Sequence, residues 1–300
     1  MTESPWSVAV VGPGGVGGLV GAVLTRAGHP VVYVARPDTA AALTAGGIEV
    51  TSARFGDFHV PAAAGPRLTA PVDVCVVAAK ATALDAALDG VPAEVLGAGL
   101  VLPLLNGVDH MAALRERFPA ARVLAGAIRV ESTRVAPGRI VHTSPFCAVE
   151  LAGDDTPGAR LETLADQLRA AGIDATVGDS EAAVLWNKLA FLAPLALLTT
   201  AYGATAGEVR EKYRGDLEAV AGEVLAVARA AGATADAGAV IGLFDKVPPA
   251  TKSSMQRDVE AGRPAEVDAI GGAVLRAAAR EGVDAPMTAR LVEDLRARGI

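Results

Sequence analysis

A glycine-rich segment directly after the first apolar run limits the fold of this chain more than any other feature. The short β-branched run Val8–Val11 leads into Gly12-Pro-Gly-Gly-Val-Gly17, and a helical pattern covers 16–27. Glycines at this spacing between a strand and a helix allow a tight turn, close approach of a pyrophosphate and close helix–strand packing. The segment therefore predicts a dinucleotide site rather than a purely structural turn. Its predicted cofactor contacts are Gly12, Pro13, Gly14, Gly15, Val16 and Gly17.

Strand-like and helix-like segments alternate through the first half of the chain. Apolar runs at 8–11, 31–35, 74–78 and 100–105 are separated by helical stretches at 39–45, 83–88 and 110–118. This alternation predicts βαβ units and a parallel sheet that is covered on both faces. Strand-like runs at 123–131, 139–143 and 148–152 lack long intervening helices, so we expect a mixed or antiparallel extension there.

The second half of the chain has helical periodicity almost throughout. Helical stretches are predicted around Lys188 and at 161–171, 208–231, 236–246, 251–261, 264–281 and 286–298. The predicted fold class is therefore α/β, with an N-terminal Rossmann-type doubly wound sheet and a C-terminal all-helical domain. We place the first domain at residues 1–178 and the second at residues 179–300.

Composition and charge exclude several other classes of protein. The net charge is −7 and no basic run is present, which disfavours a nucleic-acid partner. The apolar run at 182–198 is interrupted by Lys188 and Pro194, so we expect a buried core helix and no membrane span. No export signal is visible, and Cys75 and Cys147 do not form a disulfide framework, so we expect a cytoplasmic protein with reduced thiols. The four histidines show no ligand spacing, so no metal is expected.

The residue that ends the second strand favours one nicotinamide cofactor over the other. NAD sites carry an acidic side chain there to accept the ribose 2′-hydroxyl. This chain has Arg36, whose guanidinium suits a 2′-phosphate, whereas Asp38 follows Pro37 and is expected in the turn. The sequence therefore predicts NADP(H), with a solvated surface arginine as the alternative.

Several polar residues stand where chemistry is expected. Lys188 is the only charged side chain between Glu181 and Glu208, and burying an ammonium group without a partner costs several kcal/mol. It therefore either extends its charge to solvent or is retained for chemistry. Lys80 and Asn106-Gly107 each follow a predicted parallel strand, at the edge where ligands bind in open α/β sheets.

Together these motifs resemble the ketopantoate reductase (2-dehydropantoate 2-reductase) family over essentially the whole chain. The motifs are the glycine segment, Arg36, Lys80, Asn106-Gly107, Val-His-Thr at 141–143, Trp-x-Lys-Leu at 186–189, Ser-Ser-Met at 253–255, and Glu266 with Asp268. The resemblance implies an N-terminal NADPH-binding domain, a helical C-terminal domain and a step in pantothenate biosynthesis.

The resemblance also implies roles for individual residues. Lys188 would be the catalytic acid, Glu266 a further active-site residue, Asn106 a neighbour of nicotinamide and substrate, and Ser254 a ligand of the substrate carboxylate. Lys80 would lie at the cofactor side of the cleft and also near the substrate. Hydride attack on a ketone leaves charge on oxygen, and a protonated lysine would stabilise that oxygen and then protonate it.

The chain departs from the family one and two turns beyond Lys188. The family typically has asparagines there, whereas this chain has Leu192 and Ala196, so we expect a more apolar or larger pocket. Thr199, three turns along, is expected to restore one hydroxyl. An imine or 3-hydroxy-acid dehydrogenase and a non-catalytic NADP(H)-binding sensor remain alternatives. The alanine- and leucine-rich C-terminal helices are suited to burying a homodimer interface.

Overall fold

The computed structural model describes residues 4–234 and 236–300. The chain forms two compact units, which are described separately. The first contains the chain up to Leu105 together with His110–Glu181, and the second contains Asn106–Asp109 together with Ala182–Ile300. The short segment Asn106–Asp109 therefore belongs with the helical half, although its neighbours on both sides belong to the first unit.

A five-stranded parallel sheet forms the centre of the first unit. The strands of this unit are β1 (Val8–Val11), β2 (Val31–Val34), β3 (Ile48–Ser52), β4 (Phe58–Val60), β5 (Ala63–Gly65), β6 (Val74–Val77), β7 (Leu100–Pro103), β8 (Ala125–Arg129), β9 (Ser132–Ala136), β10 (Arg139–His142), β11 (Ala148–Ala152) and β12 (Asp174–Val177). Its helices are α1 (Gly15–Arg26), α2 (Pro37–Gly46), α3 (Leu84–Leu88), α4 (Ala93–Leu96), α5 (His110–Arg117) and α6 (Gly158–Ala170). The central sheet has the order β5-β2-β1-β6-β7, and every pair in it is parallel.

Two smaller sheets extend this unit, and both are mixed. Their orders are β4-β3-β10-β9 and β12-β11-β8, each with parallel and antiparallel pairs. The predicted extension is therefore confirmed. The strands β3, β4, β5, β9 and β12 were not predicted. β3 has strict alternation of buried and exposed residues, whereas β4 and β5 have three residues each and are too short for a periodic signal.

His142 ends β10 inside the core of the first unit. Its Nε2 atom lies 3.1 Å from the Phe146 carbonyl, which can only accept, and its Nδ1 atom lies 2.8 Å from Ser52 Oγ. That hydroxyl accepts the backbone N–H groups of Phe55 at 2.9 Å and of Arg54 at 3.2 Å, which occupy both of its lone pairs, so its own hydrogen is donated to the ring. The surroundings fit the neutral imidazole, and burial lowers the pKa of His142 below its ordinary value.

The second unit is built from helices around one apolar core. They are α7 (Glu181–Tyr202), α8 (Ala206–Lys212), α9 (Arg214–Ala230), α10 (Ala237–Lys246), α11 (Ser254–Glu260), a π-helical turn (Asp268–Gly272), α12 (Ala273–Glu281) and α13 (Pro286–Ala297). By length and composition α7 could cross a membrane, but 72% of its most apolar window is buried inside the protein. This burial supports the expected core helix.

Two differences between the predicted and the observed helices concern a break in a helix and the position of a predicted site residue. The stretch predicted at 208–231 is divided at Tyr213, whose φ of −126° interrupts the helix between α8 and α9. The helix predicted at 264–281 begins only at residue 267, and the Arg263 N–H before it still bonds back to the Asp258 carbonyl at the end of α11. Glu266 therefore lies before the helix and not in its first turn, as the sequence had suggested.

Candidate active site

The glycine segment forms a tight connection between β1 and α1. Gly12 has φ +82°, and its N–H donates to the Val34 carbonyl at 3.1 Å. A Cβ atom at Gly12 would lie 2.7 Å from the Ala79 nitrogen, and one at Gly17 would overlap the Gly12 carbonyl oxygen. Both positions therefore require glycine, one for its backbone conformation and the other for the close packing of α1 on β1.

Gly14 differs from these positions because the space beside it is open. Apart from the adjoining residues of the chain, the nearest atom that a Cβ there would meet in the described structure is the Gly12 oxygen, at 4.0 Å. Gly14 caps α1 without any side-chain hydrogen bond, and the first turn of α1 contains no acidic residue. An unshielded helix N-terminus beside open space is the environment that a pyrophosphate occupies in dinucleotide sites, so these residues fit such a cofactor.

Ser132 is a part of this loop that the sequence did not indicate. Its hydroxyl donates to the Gly15 carbonyl at 2.8 Å, and a Cβ atom at Gly15 would overlap the Ser132 carbonyl oxygen. Ser132 begins β9, which carries no periodic signal, and it contacts a residue 117 positions away. Through this hydrogen bond, the sheet that contains β9 holds the backbone of the first turn of α1 in place.

Two basic residues follow the carboxyl ends of neighbouring strands. Arg36 is exposed and directly precedes α2, and Lys80 is exposed three residues after the end of β6. Because β2, β1 and β6 are adjacent and parallel, Arg36, Gly12 and Lys80 all follow the same edge of the sheet. Asp38 lies in the first turn of α2 and is exposed, rather than in a turn before it. Positive charge on either side of the glycine segment suits a phosphorylated ligand.

The predicted residues of the helical half lie in the second unit. Lys188 is half-buried on α7, and the nearby residues Trp186 and Leu189 on the same helix are buried. Asn106 and Glu266 are also half-buried, and the Asn106 Nδ2 atom donates to Glu266 Oε2 at 3.2 Å. The structure thus brings together two predicted site residues that are 160 positions apart.

A π-helical turn supports this pair. Gly107, directly after Asn106, has φ +83°, and a Cβ atom there would overlap the carbonyl oxygen of Ala269. Ala269 belongs to the turn Asp268–Gly272, which follows Glu266 closely in the chain. Such turns are rare and occur often at functional sites. The glycine of the Asn106-Gly107 motif is therefore required by close packing as well as by its backbone conformation.

The two serines of the Ser-Ser-Met motif have different environments. Ser254 is the exposed first residue of α11, whereas Ser253 is buried and accepts the Gln256 N–H at 3.0 Å as the helix cap. Thr199 Oγ1 lies 2.7 Å from the Leu195 carbonyl and 2.9 Å from Ser253 Oγ. Thr199 is fully buried, so its expected hydroxyl contribution to a pocket is wrong; the group stabilises the packing of α7 instead.

The two apolar replacements on α7 are not equivalent. Leu192 is half-buried, whereas Ala196 has no exposed surface. The expected change of the pocket therefore depends on Leu192.

The two cysteines are buried, and burial raises the pKa of Cys75 to about 12 and that of Cys147 to about 11. Both thiols are therefore protonated at neutral pH and unsuited to act as nucleophiles.

Comparison with known proteins identifies both halves of the chain. Residues 8–150 match the family model for ketopantoate reductase PanE/ApbA, and residues 182–299 match the model for its C-terminal part. The 2-dehydropantoate 2-reductase of Mycobacterium tuberculosis is 29% identical over 295 residues, which cover 95% of this chain and 95% of that protein.

Solved structures share the fold over nearly the whole length. The crystal structure of 2-dehydropantoate 2-reductase from Geobacter metallireducens has a TM-score of 0.88 and 28% identity, and the match covers 97% of this chain and 99% of that one. D-mandelate dehydrogenase, solved with NADH and anilino(oxo)acetate, also has a TM-score of 0.88, with 97% of both chains covered. Its identity is 21%, so that likeness shows the fold alone.

Proposed function

The chain belongs to the ketopantoate reductase family of oxidoreductases, and from this premise we propose that it reduces the carbonyl of a 2-keto acid with NADPH. Lys188 is the proposed proton donor. The observation that carries the proposal is the joint presence of an open glycine loop in the first unit and, in the second, half-buried Lys188 together with the bonded pair Asn106–Glu266.

In the proposed chemistry, the glycine loop of the first unit binds the cofactor, and Lys188, Asn106 and Glu266 of the second unit act on the substrate. The reduced nicotinamide supplies the hydride when the cofactor is bound. The Lys188 ammonium stabilises the negative charge that develops on the substrate oxygen and donates a proton to it. The Glu266 carboxylate accepts the Asn106 amide, which holds that amide in one orientation toward the reactants. Ser254 and Lys80 remain proposed ligands of the substrate.

The preference for NADPH over NADH rests on Arg36. Its exposed guanidinium at the end of β2 can bind a 2′-phosphate through charge-assisted hydrogen bonds. The acidic side chain that would accept a ribose 2′-hydroxyl is absent from residues 31–36, which read Val-Val-Tyr-Val-Ala-Arg.

The proposed substrate is more apolar than ketopantoate. Leu192 lies one turn beyond Lys188, and its half-buried side chain offers apolar contact where an amide would donate or accept a hydrogen bond. An unpaired hydroxyl of a polar substrate against such a surface loses a hydrogen bond, which costs about 1–3 kcal/mol. We therefore expect 2-keto acids with larger apolar side chains to be preferred.

The proposal is tested by following NADPH consumption with ketopantoate and with 2-keto acids and ketones of increasing apolar size. Lys188→Ala should lower kcat by roughly 10²- to 10⁴-fold, as expected for loss of a general acid, while NADPH binding is unchanged. Lys246→Ala is the matched control, because Lys246 is an exposed lysine at the end of a helix in the same unit.

Three outcomes would contradict parts of the proposal. Undiminished turnover by Lys188→Ala would remove the lysine from its proposed role. Ketopantoate as clearly the best substrate would overturn the argument from Leu192. A wild-type protein that binds NADPH but reduces none of the carbonyl compounds would favour the non-catalytic sensor.

A further inference from the structure

An ion-pair network in the second unit connects the segment that carries Asn106 with the segment that carries Glu266. Its centre is Arg276 in α12, and its other members are Asp109, Asp268 and Arg296. Asp109 lies three residues after Asn106, and Asp268 lies two residues after Glu266. The network therefore touches both sides of the Asn106–Glu266 hydrogen bond.

The geometry at Arg276 is that of a fork that binds two segments at once. Its Nε and Nη2 atoms donate to Asp109 Oδ2 at 2.9 and 2.7 Å. Its Nη1 atom donates to Asp268 Oδ1 at 3.0 Å, and Nη2 also lies 3.0 Å from the Asp268 carbonyl oxygen. A planar guanidinium can make all of these contacts at fixed angles, which a lysine ammonium cannot reproduce.

Further contacts hold Asp268 and the segment Asn106–Asp109 in place. Arg296 Nη2 donates to Asp268 Oδ1 at 2.7 Å, and hydrogen bonds from Arg276 hold the pKa of Asp268 below its usual range. The backbone at Gly107 rests against the carbonyl of Ala269. The segment Asn106–Asp109 is therefore fixed at its start by packing on the π-helical turn and at its end by Arg276.

We propose that Arg276 is a positioning residue, which holds the Asn106 amide and the Glu266 carboxylate in their reactive arrangement by binding Asp109 and Asp268. The proposal rests on the proposed function, because it assigns Arg276 an effect on turnover that acts through Asn106. Arg276, Asp109 and Asp268 are 48%, 43% and 65% exposed, so the two carboxylates that lose Arg276 remain in contact with solvent and are not left as unpaired charges in the core. The expected consequence of its loss is therefore a misplaced amide in a protein that still folds.

The experiment compares Arg276→Ala with Arg280→Ala. Arg280 lies one turn further along α12, is 61% exposed and, among the described residues, pairs with its neighbour Glu281, so it is a matched control. We expect Arg276→Ala to lower kcat about tenfold or more, because small misplacements of a reacting group are costly, with NADPH affinity unchanged. Arg276→Lys should restore little of the loss. Amide hydrogen exchange over residues 104–112 should rise in Arg276→Ala and not in Arg280→Ala.

A double-mutant cycle separates positioning from general destabilisation. In an Asn106→Ala background, Arg276→Ala should cause a much smaller loss of kcat than in the wild type, because the amide is gone and only the Glu266 carboxylate remains to be positioned. Additive losses, or exchange and turnover equal to those of Arg280→Ala, would overturn the inference while leaving the proposed function intact. A wild-type protein that reduces no carbonyl compound would instead defeat the proposed function, and with it the assignment of Arg276 to catalysis.

Discussion

Alanine substitutions at Gly14 and Gly17 of the glycine segment should have different effects on stability and on cofactor binding. Gly14 has φ −81° and ψ −156°, an extended conformation open to alanine, and a Cβ atom there meets no atom closer than 4.0 Å. Gly14→Ala should therefore leave the free energy of unfolding unchanged or raise it by about 0.4–1 kcal/mol, because alanine restricts the unfolded chain. The added methyl group would stand in the space that we propose for the pyrophosphate.

The expected loss of binding follows from the hydrogen bonds at the start of α1. Displacing a phosphate from one backbone N–H removes a bond to a charged group, worth about 1.5–3 kcal/mol. At 1.4 kcal/mol per factor of ten, the Kd for NADPH should rise roughly ten- to hundredfold. Titration of NADPH fluorescence measures the affinity, and urea unfolding without cofactor measures the stability.

Gly17→Ala is the matched comparison. Its Cβ atom would overlap the Gly12 carbonyl oxygen and lie 3.1 Å from both Val10 Cγ1 and Ala78 Cβ. Overpacking of this kind costs about 1–3 kcal/mol of stability, which should be visible without any cofactor. If Gly14→Ala bound NADPH as tightly as the wild type, the assignment of this loop to the pyrophosphate would be refuted. A large loss of stability in Gly14→Ala would instead refute the steric argument.

Three further predictions concern single side chains. Arg36→Ala should raise KM for NADPH severalfold and leave KM for NADH unchanged; equal effects on both would contradict its assignment to the 2′-phosphate. Because the folded-state pKa of His142 lies below its ordinary 6.5, the wild type should lose stability as the pH falls below about 6.5, and urea unfolding of His142→Gln should show a flatter pH dependence. Thr199→Val should lower the free energy of unfolding by about 1 kcal/mol with no change in substrate KM, whereas a raised KM would return Thr199 to the pocket.

The sequence predicted those elements whose burial is uniform or helical. β1, β6 and β7 are buried at every position, and α1 follows a glycine motif, so each carries a local signal. β9 is mostly exposed and is defined by its pairing with β10, which no local pattern records. The break between α8 and α9 at Tyr213 and the late helix start after Glu266 are likewise not visible in the helical periodicity of the sequence.

Candidate site residues could be predicted where their position relative to a strand end or an apolar helix already suggests a function. Arg36 and Lys80 follow strand ends, and Lys188 is conspicuous in an apolar helix. The role of Arg276 could not be predicted in this way, because its partner Asp109 is 167 positions distant and both residues look like ordinary surface charges. Such long-range contacts form only when the chain folds, so they cannot be predicted from the periodicity of the sequence.

The structure distinguishes the three positions beyond Lys188 on α7 that the sequence alone would place in a pocket. By helical spacing alone, Leu192, Ala196 and Thr199 all qualify as pocket residues on one face. Burial separates them, since Ala196 and Thr199 have no exposed surface and Leu192 does. An amide placed at 196 would have to be accommodated in a closed core, whereas one placed at 192 could meet a ligand. Of these three positions, Leu192 is therefore the one where a change to Asn should shift preference toward polar 2-keto acids, whereas Ala196→Asn should lower stability instead.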